Sequence, residues 1–448
     1  TNSICGPSRA VVMTGKYGHL NGFVTNGNTF NGNQQTVSKL LQTAGYETAV
    51  IGKWHLKSTP IGFDYYHVLI GQGPYYNPPM KTTDGPVNHI GYTTEIITDQ
   101  TLEYLKERRD PDKPFFLMYQ HKAPHRNWQP GPDEINNYNN ETVPEPITLF
   151  DDYQGRTSAA RNQAMTVKEH LTRYDLKLDP PKNLTPEQLV FWNEAYDKKN
   201  AELAKLNLEG DALIRWKYQR YVKDYLRCID SVDKNVGRVL DYLEESGLAE
   251  NTIVIYTSDQ GFFLGEHGWY DKRFMYEESF QMPFLCRYPA AIPAGNASSD
   301  IACNVDFAAT FLDFAGLEVP SYMQGVSMRP ILEGNTPPDW KQIGYHRYWM
   351  HNDDNHEAWA HYGIRDQRYK LIYWYNDDLG LPGARPNGAP PEWELFDCET
   401  DPFELNNLAS EPTYSKVFKE MLSKLDSKMA EIGDIPEHNS KIVIASLN

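Results

Sequence analysis

Short apolar runs ending in polar clusters punctuate this chain. Three of them are Thr48-Ala49-Val50-Ile51-Gly52, Pro114-Phe115-Phe116-Leu117-Met118-Tyr119 and Thr252-Ile253-Val254-Ile255-Tyr256. Runs rich in β-branched and aromatic residues suit the inner strands of a parallel sheet. Lys53-Trp54-His55 follows the first run, His121 and His125 follow the second, and Ser258-Asp259-Gln260-Gly261 follows the third. Helical spacing lies between the runs. Thr36 is placed to cap a helix with Val37, Leu40, Leu41 and Ala44 on one face, closed by Gly45. A long helix is predicted from about Asp211 to Ser246, striped by Tyr221, Tyr225, Ile229, Val232, Val236, Leu240 and Leu243, with Gly247 as its cap. This alternation predicts an α/β fold: a large mixed sheet with helices on both faces. Ligands of such sheets bind beyond the carboxyl ends of the strands, so the three polar clusters are expected to share one crevice.

After about residue 335 the pattern changes. Trp340, Tyr345, Tyr348 and Trp349 lead into His351, His356 and His361. His361–Arg365 and Arg368–Tyr375 read as strands, followed by a Pro/Gly-rich loop over Asn376–Pro391. Trp393–Asp397 and a helix over about Pro412–Ile432 complete the pattern. The prediction is a smaller C-terminal α+β unit with an antiparallel sheet, giving domains 1–335 and 336–448. A loop at a domain junction commonly faces a cleft, so His351 and His361 are expected in a substrate pocket. Tyr76, in the aromatic stretch 65–78, is a further candidate there, with core packing as the equal alternative.

The most specific chemistry lies at the start: Cys5-Gly6-Pro7-Ser8-Arg9, then Thr14-Gly15. Pro7 suits a first helical turn, where its missing N–H has no partner, and Gly15 suits the end. Cys5 then sits at a helix N-terminus, which favours an anion, with Arg9 one turn along on the same face. The string resembles the signature of type I sulfatases. In that family a maturation enzyme oxidises the cysteine to formylglycine, whose hydrate attacks sulfur. Gly52-Lys53-Trp54-His55 resembles another element of the family. The resemblance implies that Lys53 contacts sulfate and His55 the hydrate. Lys122-Ala123-Pro124-His125 resembles the segment bearing a second histidine; His121 is the rival, and the Pro-His context favours His125. Ser258-Asp259-Gln260-Gly261, followed by Gly265-Glu266-His267-Gly268 and Lys272, resembles the second major sulfatase block.

By this resemblance Asp259, Gln260 and the group made from Cys5 bind calcium, with magnesium as the other ion suited to hard oxygens. Lys272 binds sulfate and the bridging oxygen, and either His125 or Lys272 protonates the leaving hydroxyl. His267 is a supporting residue. The family draws two more aspartate ligands from a strand upstream of the cysteine motif, which this numbering does not include. Asp259 and Gln260 alone are expected to hold calcium weakly. The stretches Gly62–Tyr66 and Gly71–Pro78 are similar to glycan sulfatases, including N-acetylglucosamine-6-sulfatases. A sulfated carbohydrate substrate and a periplasmic or extracellular location are therefore expected. Two alternatives are a phosphonate or phosphate ester hydrolase of the same superfamily, and a glycan-binding protein without catalysis if Cys5 stays a thiol.

Composition narrows this picture. The 448 residues carry a net charge of −17. That balance argues against non-specific nucleic-acid binding and requires a local basic cluster for any sulfated ligand. No stretch approaches 18 consecutive apolar residues, so no membrane span is predicted. Cys228, Cys286, Cys303 and Cys398 lack zinc-type spacing and fit either two disulfides or buried free thiols.

Overall fold

The computed structural model describes residues 1–446. Its first sheet contains β1 (Glu47–Gly52), β2 (Tyr65–Leu69), β3 (Pro79–Thr82), β4 (Gly85–Asn88) and β5 (Phe115–Gln120). The order is β4-β3-β2-β1-β5. β1 runs parallel to both neighbours, whereas β2, β3 and β4 form an antiparallel meander. Covered on both edges, β1 is buried from Thr48 to Gly52, as its continuous apolar run predicts. Gly52 stands level with Val68 on one side and Gln120 on the other, so the polar clusters begin at a common height.

The third apolar run forms β6 (Val254–Thr257). A short hairpin of β7 (Phe263–Leu264) and β8 (Tyr270–Asp271) follows, and then β9 (Phe284–Arg287), which pairs antiparallel with β6. Among the described residues β6 pairs with β9 alone, while β5 ends the first sheet. A groove of about 1290 Å³ separates β5 from β6. Tyr225, Ile229, Val232 and Val236 of the long helix Gly210–Glu245 line one side of it. Phe307 and Phe311 of the helix Phe307–Phe314 line the other. The two halves of the α/β architecture thus face each other across an apolar slot whose carboxyl-end mouth holds the polar clusters.

The C-terminal region forms a complete antiparallel sheet. Its strands β10 (Gly344–Tyr348), β11 (His361–Arg365), β12 (Tyr369–Trp374) and β13 (Glu392–Asp397) lie in sequence order. The helix Ser415–Ile432 covers it with Phe418, Met421, Leu422, Leu425 and Met429, and Gly433 closes the helix. Buried Glu394 of β13 joins this sheet to the first region. It accepts from Thr157 N at 3.1 Å, Thr157 Oγ1 at 2.9 Å, Trp374 Nε1 at 2.9 Å and Tyr276 Oη at 3.2 Å. Four donors to one carboxylate offset its desolvation and fix how the regions meet. All five cysteines are free thiols. Among the described residues no helix is long and apolar enough to cross a membrane.

Candidate active site

The helix Cys5–Thr14 begins at the cysteine itself, after extended Ile4. Pro7 falls within the first turn, where no intrahelical donor is required. Gly15 ends the helix at φ 62° and donates its N–H to Val11 O. Cys5 is fully buried at the dipole's positive end.

Arg9 connects the three strand ends. Its Nε lies 2.9 Å from Asp259 Oδ2, and its Nη1 donates to Lys53 O at 2.5 Å and Gln120 Oε1 at 2.6 Å. Gly52 makes the approach of β1 to β5 possible. Its φ is 105°, and a Cβ there would lie 1.9 Å from Gln120 O. Lys53 N donates to the same oxygen at 2.7 Å. Lys53, buried with no carboxylate partner among the described residues, enters the cluster from this turn.

The histidines have defined states. Nδ1 of His125 lies 2.7 Å from Arg126 O. A carbonyl only accepts, so Nδ1 carries the proton and Nε2 presents a lone pair. The His125 side chain lies beside Cys5. Burial, then the Lys53 and Lys272 cations, push His125 down to about 3. His55, at φ 55°, is lowered to about 2 by burial and by Lys53 and Arg9, and its Nδ1 is buried without a partner. Both are neutral bases at neutral pH. His121 also lines the groove, but both ring nitrogens lack partners and its ring packs edge-on against Tyr119.

Charge shapes the nucleophile position. Burial opposes ionisation of Cys5, yet the Lys53 and Lys272 cations outweigh it and bring the thiol down to about 5. Burial likewise opposes the Asp259 carboxylate, but Arg9, Lys53 and Lys272 hold it below its ordinary range. Lys272 pairs with Asp271 Oδ1 at 2.6 Å. Gln260 Oε1 is buried with no hydrogen-bond partner. An orphaned amide oxygen beside an ionised carboxylate suits a hard divalent cation, although two side chains supply only part of its shell.

The structure therefore gathers Cys5, Arg9, Lys53, His125, Asp259 and Lys272 by direct contacts and mutual charge, and the same charges act on His55. Tyr76, His351 and His361 stand elsewhere. Tyr76 is a core residue, packed on Tyr92 and Trp192, whose hydroxyl donates to Pro130 O at 2.5 Å. His361 lies in a buried stack between His346 and Trp374, with Nδ1 2.8 Å from Trp359 O. His351 is fully buried and accepts from Ala360 N at 3.0 Å. The domain-junction loop suggested a pocket wall for the two histidines, and Tyr76 had core packing as its equal alternative; burial puts all three in the core, with Nε2 of His351 and of His361 left without a partner. His267 is buried; its Nδ1 meets Asp151 Oδ2 at 3.0 Å, and Asp151 and Glu278 raise its pKa against burial.

Sequence reasoning missed a charged group beside Lys272. Asp271 Oδ2 lies 3.2 Å from Arg273 Nη1 and 3.0 Å from His356 Nε2, and His356 Nδ1 lies 2.9 Å from Asp353 Oδ1. Asp271 and Arg273 have φ of 74° and 109°, conformations non-glycine residues keep only when their surroundings impose them. The available signal was the Asp-Lys-Arg run with its two charged neighbours flanking Lys272.

Comparison with known proteins matches this arrangement. The sulfatase family model matches residues 1–317, and the N-sulphoglucosamine sulphohydrolase C-terminal model matches residues 265–431. The chain is 49% identical to the N-acetylglucosamine-6-O-sulfatase of Bacteroides thetaiotaomicron, over 97% of this chain and 79% of that protein. It is 26% identical to human N-acetylglucosamine-6-sulfatase, over 76% of this chain and 58% of the human protein. A solved structure in complex with its substrate D-glucosamine-2-N,6-O-disulfate superposes with a TM-score of 0.91 at 48% identity, covering 96% of this chain and 89% of the other. The fold is shared more widely: a phosphonate monoester hydrolase from Silicibacter pomeroyi superposes with a TM-score of 0.65 at 19% identity, over 95% and 86% of the two chains. The family generally uses formylglycine and a divalent metal. From the cysteine helix to the lysine after β8, the site lies within the matched residues, and the chain belongs to the sulfatase family of sulfuric ester hydrolases.

Proposed function

We propose that this sulfatase removes a 6-O-sulfate from a glucosamine-type sugar, using formylglycine made from Cys5 by a maturation enzyme. The observation that carries the reading is the convergence of Cys5 with Arg9, Lys53, His125, Asp259 and Lys272 at the strand ends. The sugar is argued from the 49% identical relative and from the disulfated glucosamine bound in the neighbouring structure. The domain division 1–335 and 336–448 belongs to this reading, as does a periplasmic or extracellular location.

The modified Cys5 supplies a hydrate hydroxyl as nucleophile. The other residues act by position and charge. Lys53 and Lys272 neutralise the sulfuryl oxygens, and Arg9 fixes Asp259. His125, with Nδ1–H committed to Arg126 O, offers Nε2 as a hydrogen-bond acceptor at the nucleophile. Lys272, whose Nζ donates to Asp271 Oδ1 at 2.6 Å, is the donor to the departing sugar oxygen. Neutral His55 accepts the proton whose loss expels sulfate. Asp271, Arg273, Asp353 and His356, next to Lys272, offer donors and acceptors matched to sugar hydroxyls.

Asp259 and Gln260 would hold part of the shell of a calcium ion, which would supply positive charge at the sulfate oxygens; magnesium is the alternative. The remaining ligands belong to the paired aspartates that the family resemblance implies. A strand bearing them suits the groove, since β5 and β6 offer free edges between apolar helix faces and the mouth lies at Asp259. The test is release of sulfate from glucosamine 6-sulfate, run beside the corresponding phosphate ester. Cys5→Ala is expected to lower sulfate release by at least about a thousandfold. Helix stability should change by roughly 1 kcal/mol. Retained activity in that variant, or preference for the phosphate ester, overturns the reading.

A further inference from the structure

Asp175 is a fully buried carboxylate that the proposed chemistry does not use. Its two oxygens are turned toward the residues that follow His125. Oδ1 accepts from Arg126 Nε at 3.0 Å and from Asn127 Nδ2 at 2.5 Å. Oδ2 accepts from Arg126 Nη2 at 2.6 Å, and from Thr172 N at 2.9 Å and Thr172 Oγ1 at 2.7 Å. The backbone is held as well: Lys177 Nζ donates to Asp175 O at 2.6 Å and to Asn127 O at 2.7 Å. The turn 172–177 therefore grips Arg126 and Asn127 through both side chain and main chain. The Arg126 guanidinium also lies over the Tyr270 ring, 4.9 Å from its centroid, and Tyr270 begins β8 directly before Asp271 and Lys272. A bidentate arginine–carboxylate fork fixes direction as well as distance.

We propose that Asp175 is a positioning residue for the sulfatase reaction: by clamping Arg126 and Asn127 it sets where the Arg126 carbonyl stands, and so which way the His125 ring faces and which nitrogen carries its proton. The hydrogen bond at one ring nitrogen decides what a histidine presents at the other. For His125 that bond runs from Nδ1 to Arg126 O at 2.7 Å. A main-chain oxygen can orient a ring only while its own residue is held. Tyr75 Oη donates to His125 O and fixes the carbonyl on one side; Asp175 fixes the residue on the other. Asparagine at position 175 would keep one acceptor oxygen and turn an amide NH2 toward donors, so the fork to Arg126 would open. Burial opposes the Asp175 carboxylate, but Arg126 and Thr172 hold it below its ordinary range, which leaves the clamp charged at neutral pH.

This inference rests on the proposed function, and a double-mutant cycle separates the two. Sulfate release from glucosamine 6-sulfate is followed for the unsubstituted protein, Asp175→Asn, His125→Ala and the pair. Asp175→Asn is expected to lower kcat roughly tenfold to a hundredfold with KM within about twofold. In the His125→Ala background the same change should cost less than about twofold, because no imidazole is left to misplace. A reduced folded fraction would instead cost the same factor in both backgrounds. The second readout needs no turnover. With histidine nitrogens isotope-labelled, the His125 signals, identified by their loss in His125→Ala, should show the proton on Nδ1 alone, and Asp175→Asn should add the form protonated on Nε2. Equal losses in the two backgrounds, or an unchanged tautomer in Asp175→Asn, overturn the role of Asp175 while the proposed function stands. If Asp175→Asn does not fold, Asn127→Ala, which removes one donor to the same carboxylate, goes through the same cycle, and equal losses there overturn the role. No sulfate release by the unsubstituted protein overturns both.

Discussion

The two sheets of this protein are built to different degrees of closure. In the C-terminal sheet every strand finds its partner within the described residues, and β11, β12 and β13 are largely buried beneath one helix. In the first region β1 is equally well covered, but every residue of β5 is half-buried and Tyr256 of β6 is exposed. Both sides of the groove have the composition of inner strands without the burial of one. The reactive residues collect at its mouth, whereas the closed sheet supplies support through Glu394.

A charge placed in each sheet tests that contrast most severely. Leu371→Asp buries a carboxylate in a fully closed sheet and should cost about 4 kcal/mol or more. Ile255→Asp, on the groove wall, should cost about 2 kcal/mol or less in the chain 1–448. Urea denaturation of both variants decides the matter, and equal costs would show that the groove is closed in solution.

A smaller effect is expected at the joint of β1 and β5. Gly52→Ala forces a Cβ against Gln120 O from a left-handed backbone and should destabilise by roughly 2–4 kcal/mol. The Lys53 turn must shift with it. Thermal melting and kcat/KM should therefore fall together, while a variant that lost stability alone would separate the turn from the site.

The gentlest probe is the thiol of unconverted Cys5. An ordinary cysteine ionises near 8.5, but here the thiolate forms above about 5. Carboxamidomethylation followed by mass should rise through that pH and level off by neutrality. Lys53→Met removes a cation that stabilises the thiolate, so its midpoint should move upward. Cys228, which burial pushes up to about 12, should stay unmodified over the same range. A midpoint near 8.5 in the unsubstituted protein would remove the electrostatic argument for the cluster.

The strand end Gly52, the long helix and the strand His361–Arg365 were legible because their patterns are local, and the runs read as Pro114–Tyr119 and Arg368–Tyr375 fall within a residue of the strands Phe115–Gln120 and Tyr369–Trp374. The first helix was legible too, although it starts at Cys5 itself, two residues before Pro7. The candidates after the three apolar runs were named correctly as neighbours because a parallel sheet brings its carboxyl ends together. His351 and His361 fell in the core, as did Tyr76 by the packing reading, because aromatic and histidine content looks the same in a core as in a pocket wall. Asp175 and the Asp271–Arg273–His356 group were missed because nothing in a local pattern shows which charges lack or share a partner.

By itself, then, the sequence determined the element types, the cysteine's place at a helix N-terminus and the family resemblance, since backbone periodicity and short motifs act over a few neighbouring residues. Only the tertiary structure decided which cations remain unbalanced, which nitrogen of His125 is committed to Arg126 O, and that β5 and β6 stand apart. Those outcomes depend on distances between Cys5, Lys53, Asp259 and Lys272, and distances across a fold are fixed by packing rather than by order along the chain.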